Sequence, residues 1–135
     1  EATYDNSISW PEGPSTTAGS AIVMEAETGV ILYEKNAKEK NYPASITKIL
    51  TTLVALENSS LSETVLFSKD SVFNIEAGSS KGGIDWGEKL SLEDCLYGIM
   101  LVSGNEIAYA VAEHVGGAYD NFVKMMNVAI QQIDN

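Results

Sequence analysis

The chain contains no arginine, and its 8 lysines stand against 19 acidic residues, giving a formal net charge of −11 over 135 residues. A surface with that balance repels phosphate backbones, so nucleic-acid binding is excluded as a function class. The same repulsion opposes unaided adhesion to anionic membranes or wall polymers within a Debye length, so any anchor has to lie outside these residues. The single cysteine, Cys95, leaves no internal disulfide to form. It falls on the apolar face of an expected helix and reads as a buried, inert thiol. No run approaches the ~20 apolar residues of a membrane span, and no charged-then-apolar leader opens the chain. This fits a mature form from which a signal peptide has been removed. Repeats and low-complexity tracts are also lacking.

What is present is an ordinary globular composition, 44% apolar, in a chain long enough to bury a core without staples. Its most informative stretch is Pro43-Ala44-Ser45-Ile46-Thr47-Lys48, which runs into the apolar pattern Ile49, Leu50, Leu53, Val54 and Leu56. The expected helix starts with Asn41 as N-cap and Pro43 in its first turn, and continues to about Glu57. Three residues of separation put Ser45 and Lys48 about 60° apart around the axis and roughly 4.5 Å apart along it, facing one space. A serine hydroxyl becomes a nucleophile when a base takes its proton, and an amine is that base only when held neutral. Lysine starts near 10.4, so half-neutrality at pH 7–8 needs a drop of about three units, roughly 4 kcal/mol of differential destabilisation. With 14 serines and 8 lysines, chance alone supplies about one Ser-x-x-Lys. Its weight comes from its place at a helix start and from Ser103-Gly104-Asn105, which lies between two later apolar-periodic segments.

Around these two motifs the chain reads in order. Residues 1–19 form a polar arm with Trp10 as its one large apolar anchor. Ser20 to Ala26 and Val30 to Glu34 form a hairpin, with Gly29 supplying the left-handed position. A short strand is expected at Val65-Leu66-Phe67, and a loop with a small hairpin between Gly78 and Leu90. Ser91 to Asp94 resembles a capping box opening a helix that buries Leu92, Cys95, Leu96, Ile99 and Met100 and stops at Val102. Ile107, Ala110, Val111 and His114 mark the next helix, ended by Gly116-Gly117. Tyr119, Phe122, Val123, Met126, Ile130 and Ile133 mark the last. His114 reads as a last-turn histidine favoured by the helix dipole rather than a base. Glu25, Glu27, Glu88, Glu93 and Glu113 read as solvated charges, and Met125, Met126 and the aromatics of the last helix as core. A two-stranded hairpin is marginal alone, so the fold looks unfinished.

Several segments occur in an order that resembles the serine D-alanyl-D-alanine carboxypeptidases, the low-molecular-weight penicillin-binding proteins. They are Ile22 to Gly29, Pro43 to Lys48, Gly87 to Leu90, Leu96-Tyr97-Gly98, Ser103-Gly104-Asn105 and Ala112 to Gly117. The resemblance runs from about Trp10 to the end. It implies an α+β, β-lactamase/transpeptidase-like fold, here truncated to an N-terminal hairpin and a mostly helical block spanning residues 20–135. It implies that Ser45 attacks the carbonyl between two D-alanines of a peptidoglycan stem peptide, or a β-lactam ring. Lys48 is then the base, Ser103 relays the proton, and Asn105 holds Lys48 and the substrate amide. No metal or cofactor is called for, and the setting is extracytoplasmic, in a bacterial envelope or secreted. The family's third motif, Lys-Thr-Gly, is absent, and Lys81-Gly82-Gly83 precedes Ser103 and does not replace it. The chain looks like about the first half of a catalytic domain, with an open sheet edge available for self-association or for pairing with the missing half.

Two other functions stay open at this point. A serine β-lactamase would use the same serine and lysine, but no Glu-x-x-Leu-Asn follows residue 105. A catalytically dead binding or scaffolding fragment is supported by the missing third motif.

Overall fold

The structure, a computed structural model, describes residues 13–133; the expected anchor Trp10 lies outside them. The backbone divides into two compact units, one ending at Tyr42 and the other beginning at Pro43.

In the first unit β1 (Ala21–Met24) pairs antiparallel with β2 (Ile31–Lys35), with an irregularity between Val23 and Met24. The hairpin expected from the two strand-forming runs is there, but β1 ends at Met24 rather than Ala26. Glu25 explains the early stop, because its carboxylate closes the turn. It accepts the N–H groups of Glu27 at 3.0 Å and Thr28 at 2.6 Å, together with the Thr28 hydroxyl. Gly29 takes the left-handed conformation at φ 71°, which a side chain would resist. Glu25 is therefore not a merely solvated charge. The Thr28 hydroxyl and the turn N–H groups hold its pKa below the ordinary value. The described part of the arm is tied down by Lys35, whose ammonium donates to the carbonyls of Thr16 (2.9 Å) and Ala18 (2.7 Å).

The second unit holds α1 (Thr47–Asn58), β3 (Thr64–Leu66), α2 (Lys69–Phe73), β4 (Lys89–Ser91), α3 (Leu92–Val102), α4 (Asn105–Gly116) and α5 (Tyr119–Ile133). Three features differ from the sequence expectation. There is no hairpin within Gly78–Leu90; β4 instead pairs antiparallel with the distant β3. Helix α2, capped by Ser68 through the Ser71 N–H, is five residues long, too short to show a 3.6-residue period. Asn41 does not cap the first helix. Its amide bonds Ser20 Oγ and Glu39 O, and a 3-10 turn, Ala44–Ile46, precedes α1.

Helices α3 to α5 lie where the apolar periodicity puts them, and α3 ends at Val102 as expected, but on α5 Phe122 is buried while Ile130 and Ile133 are exposed. Ser91 accepts the Asp94 N–H at 3.1 Å, and its hydroxyl donates to Asp94 Oδ2 at 2.6 Å. Asp94 is one methylene shorter than glutamate and returns to the hydroxyl, so the capping box is only half formed.

One core gathers Ala55, Val65, Phe67, Leu92, Cys95, Ile99, Ile107 and Val111; a second gathers Val54, Ala112, Phe122 and Ala129. Helices α1 and α4 stand between the two, each giving one face to either. Cys95 is fully buried, and burial, helped by the Asp94 charge, pushes its thiol up to about 12.

Most of the large apolar residues of α1 are not on its buried face. Ile49, Leu53 and Leu56 are exposed while Thr51, Val54 and Ala55 are buried. Lys48, Thr51 and Ala55 fall at i, i+3 and i+7, one stripe of the helix. Turning Lys48 toward α4 sets that rotation. Met100, expected inside, is also exposed, and Tyr119 stands partly open, stacked on Tyr109 with centroids 4.6 Å apart.

Candidate active site

Ser45 is delivered by an unusual backbone. Ala44, the residue before it, has φ 48°, a left-handed conformation that costs a residue with a Cβ roughly 1–2 kcal/mol. The chain then winds through the 3-10 turn into α1, which carries Lys48 one turn on. A second left-handed residue, Ser103 (φ 58°, ψ 35°), ends α3, its N–H bonded to Gly98 O. That reversal throws the Ser103 hydroxyl off the end of α3, and Asn105 follows as the first residue of α4.

These elements bring all four sequence-predicted residues together. Lys48 Nζ donates to Ser45 Oγ at 3.3 Å, to Ser103 Oγ at 3.0 Å and to Asn105 Oδ1 at 2.5 Å. Ser103 Oγ donates to Ser45 Oγ at 2.9 Å. All three ammonium hydrogens are used, two on hydroxyls that can equally donate and one on an oxygen that can only accept. A neutral Lys48 amine keeps an N–H for Asn105 and turns its lone pair to a serine hydroxyl without moving. Partial burial lowers the Lys48 pKa, and the negative charge of Glu106 works in the other direction. The expected depression is thus present in direction, with burial as its source.

Three of the four, Ser45, Lys48 and Asn105, line a cleft of about 520 Å³ within the second unit, together with Tyr109, Phe122 and Met126. His114 is not part of it. Its Nε2 pairs with Glu63 Oε2 at 2.8 Å, and the Ser60 N–H and then His114 lower the Glu63 pKa. Glu113, expected in solvent, accepts the Ser68 hydroxyl at 2.7 Å. Among the described residues no group of three His, Cys, Asp or Glu side chains converges as a metal site would require, and no helix is long and apolar enough to cross a membrane.

The sequence reading missed Glu106. It follows Asn105 on the first turn of α4, is 1% exposed, and is the one charged side chain among the buried described residues. Its only sequence signal was position: an acidic residue directly after Ser103-Gly104-Asn105, at the helix start.

Comparison with known proteins gives the family and the fold. A sequence profile of the D-alanyl-D-alanine carboxypeptidase family matches residues 7–134. D-alanyl-D-alanine carboxypeptidase DacF of Bacillus subtilis (strain 168) is 37% identical over 120 residues, which make up 86% of this chain and 30% of that protein. DacA of Haemophilus influenzae is 35% identical over 124 residues, 88% of this chain and 32% of that protein. The chain therefore spans about a third of the length of these relatives. The crystal structure of DacD from Francisella tularensis superposes with a TM-score of 0.83 at 33% identity, covering 98% of this chain and 32% of that one. A mutant of the Streptomyces K15 DD-transpeptidase superposes with a TM-score of 0.85 at 32% identity, covering 91% and 51%. The mixed helix-and-strand fold is thus part of the penicillin-binding protein and DD-transpeptidase fold, and this chain belongs to the D-alanyl-D-alanine carboxypeptidase family.

Proposed function

We propose that the protein to which these residues belong is a serine D,D-carboxypeptidase of the bacterial cell envelope, acting on the D-Ala-D-Ala end of peptidoglycan stem peptides and acylated by β-lactams. The observation that carries this reading is the lysine amine within hydrogen-bonding reach of two serine hydroxyls and one amide oxygen. Neutral Lys48 takes the Ser45 proton as Ser45 Oγ attacks the carbonyl carbon of the penultimate D-alanine. The tetrahedral adduct collapses, the C–N bond breaks, and the proton passes from Lys48 through Ser103 to the departing amine of the terminal D-alanine. Asn105 holds Lys48 throughout and offers its amide N–H to the substrate. Water then hydrolyses the ester with the same groups in reversed roles.

The 135 residues by themselves should do this poorly. An oxyanion needs two N–H donors, and the family resemblance puts only one, that of Ser45, within this chain. Lys-Thr-Gly, expected to hold the substrate carboxylate, does not occur in the sequence, and no arginine can stand in for it. Losing one oxyanion donor typically costs about a hundred- to a thousandfold in rate.

Incubation of the full-length natural product with a fluorescent penicillin tests the reading. A stable label supports the carboxypeptidase, rapid release of the label indicates a β-lactamase, and no label indicates a binding or scaffolding protein. The same incubation with the 135-residue chain should label far more slowly.

A further inference from the structure

Glu106 has no part in the chemistry above, yet it is 1% exposed and sits beside the residue that holds Lys48. Burying a carboxylate is costly unless its oxygens are bonded. Oε1 accepts the Gly83 N–H at 2.8 Å and lies 3.5 Å from the Ile84 N–H, while Oε2 is buried without a partner. The segment it holds is the glycine-rich loop before β4. Asn105 and the Gly104 N-cap before it lie against the same loop. The Asn105 N–H donates to Ser80 O at 2.9 Å. A Cβ on Gly104 would come within 3.2 Å of the Gly82 nitrogen, and one on Gly82 within 2.5 Å of Ile107 Cδ1. Three successive residues, Gly104, Asn105 and Glu106, thus clamp Ser80–Ile84 against the start of the helix that presents Asn105 to Lys48.

We propose that Glu106 is a positioning residue of this site, its buried carboxylate latching the Gly82–Ile84 loop to the first turn of α4, the turn that presents Asn105 to the Lys48 amine. The proposal rests on the reading of Lys48 as the base. Tying down the loop fixes the backbone on which Asn105 stands, and Asn105 in turn fixes Lys48 Nζ. The charge has a separate consequence. Among the titratable groups, Glu106 is the one whose charge acts on Lys48, and it stabilises the ammonium against the effect of burial. A carboxylate at this position therefore sets how basic the amine is, in a way an uncharged latch of the same shape would not.

The two roles separate by substitution. Glu106→Gln keeps an oxygen for the Gly83 N–H and removes the charge; Glu106→Ala removes both. In the full-length protein, carbon-13 resonances of labelled lysine report the Lys48 titration, and amide exchange reports the latch, with no substrate in either measurement. The Lys48 midpoint should fall in both variants, because the charge that favours the ammonium is gone. Gly83 exchange should quicken roughly ten- to a hundredfold in Glu106→Ala and stay near wild type in Glu106→Gln. An unmoved midpoint in Glu106→Gln would overturn the electrostatic role, and unmoved Gly83 exchange in Glu106→Ala the latch. Should either variant fail to fold, the wild type decides: the Gly83 N–H, bonded to Glu106 Oε1, should exchange far more slowly than an unbonded loop amide, and exchange as fast as an unbonded amide overturns the proposal. Failure of Ser45 to react with penicillin would leave all of these readings in place and would count only against the proposed function.

Discussion

Replacing Lys48 with arginine separates a base from a fixed positive charge. In the wild type the Lys48 nitrogen sits 3.3 Å from Ser45 Oγ and 3.0 Å from Ser103 Oγ, with Asn105 Oδ1 as its third partner. The deprotonated amine satisfies all three, using two N–H groups and one lone pair. Guanidinium has five N–H donors, no acceptor, and a pKa above about 12, so it can satisfy the same oxygens but cannot accept the Ser45 proton. General-base catalysis contributes about 10²–10⁴ in rate, or roughly 3–5 kcal/mol of barrier. The second-order rate of acylation by a fluorescent penicillin, measured on the full-length product, should therefore drop by that factor in Lys48→Arg, as far as in Lys48→Ala. Wild-type acylation should rise with pH through a midpoint below lysine's ordinary 10.5, because burial lowers the Lys48 pKa, and the arginine variant should show no such rise. An arginine enzyme within about threefold of wild type would refute the reasoning, since a factor that small is far below what a lost base costs.

The remaining expectations concern stability and association. Cys95 is neutral in the fold with its pKa raised to about 12 from an ordinary 9.0, so the unfolded chain loses its thiol proton first; the resulting stabilisation is complete below pH 9 and disappears between pH 9 and 12. It amounts to at most about 4 kcal/mol, and urea unfolding of wild type and Cys95→Ala across that range should converge by it; parallel curves would remove Cys95 as the cause. Gly116→Ala would put a Cβ 2.7 Å from the Phe122 nitrogen and 2.9 Å from its Cβ, so it should cost about 1–3 kcal/mol and lower the Tm by roughly 5–15 °C, read by circular dichroism. An unchanged Tm would show that α4 and α5 can part without penalty. Strands β1 and β2 pair only with each other among the described residues, and Ile22, Val23, Met24 and Leu32 are each about half exposed. Such an edge templates pairing, so light scattering should show concentration-dependent association that Val23→Lys suppresses; a monomer at all concentrations would contradict it.

Much of the site could be read from the sequence because its determinants are local. The spacing of Ser45 and Lys48 at one helix start, and the break of apolar periodicity at Ser103-Gly104-Asn105, are short-range patterns, and α3 and α4 announced their own ends. What stayed hidden depends on distant partners. The pairing of β3 with β4 joins Val65 to Leu90, and nothing near either residue encodes it. The rotation of α1 follows from where Lys48 must point, which overrides a helix whose largest apolar residues lie elsewhere. Glu106 looked like any exposed acid at a helix start, where the dipole favours one; its burial comes from Gly82 and Gly83 folding over it. The left-handed backbone at Ala44 has no residue signal at all, since alanine is among the residues least suited to it.

The most direct test is the intact mass of the full-length protein after exposure to benzylpenicillin, followed by peptide mapping of the adduct. One penicilloyl group per chain, mapped to the peptide carrying Ser45 and absent from a folded Ser45→Ala variant, is the expected result. An adduct on another residue, or equal labelling of wild type and Ser45→Ala, would contradict the assignment of Ser45 as the nucleophile.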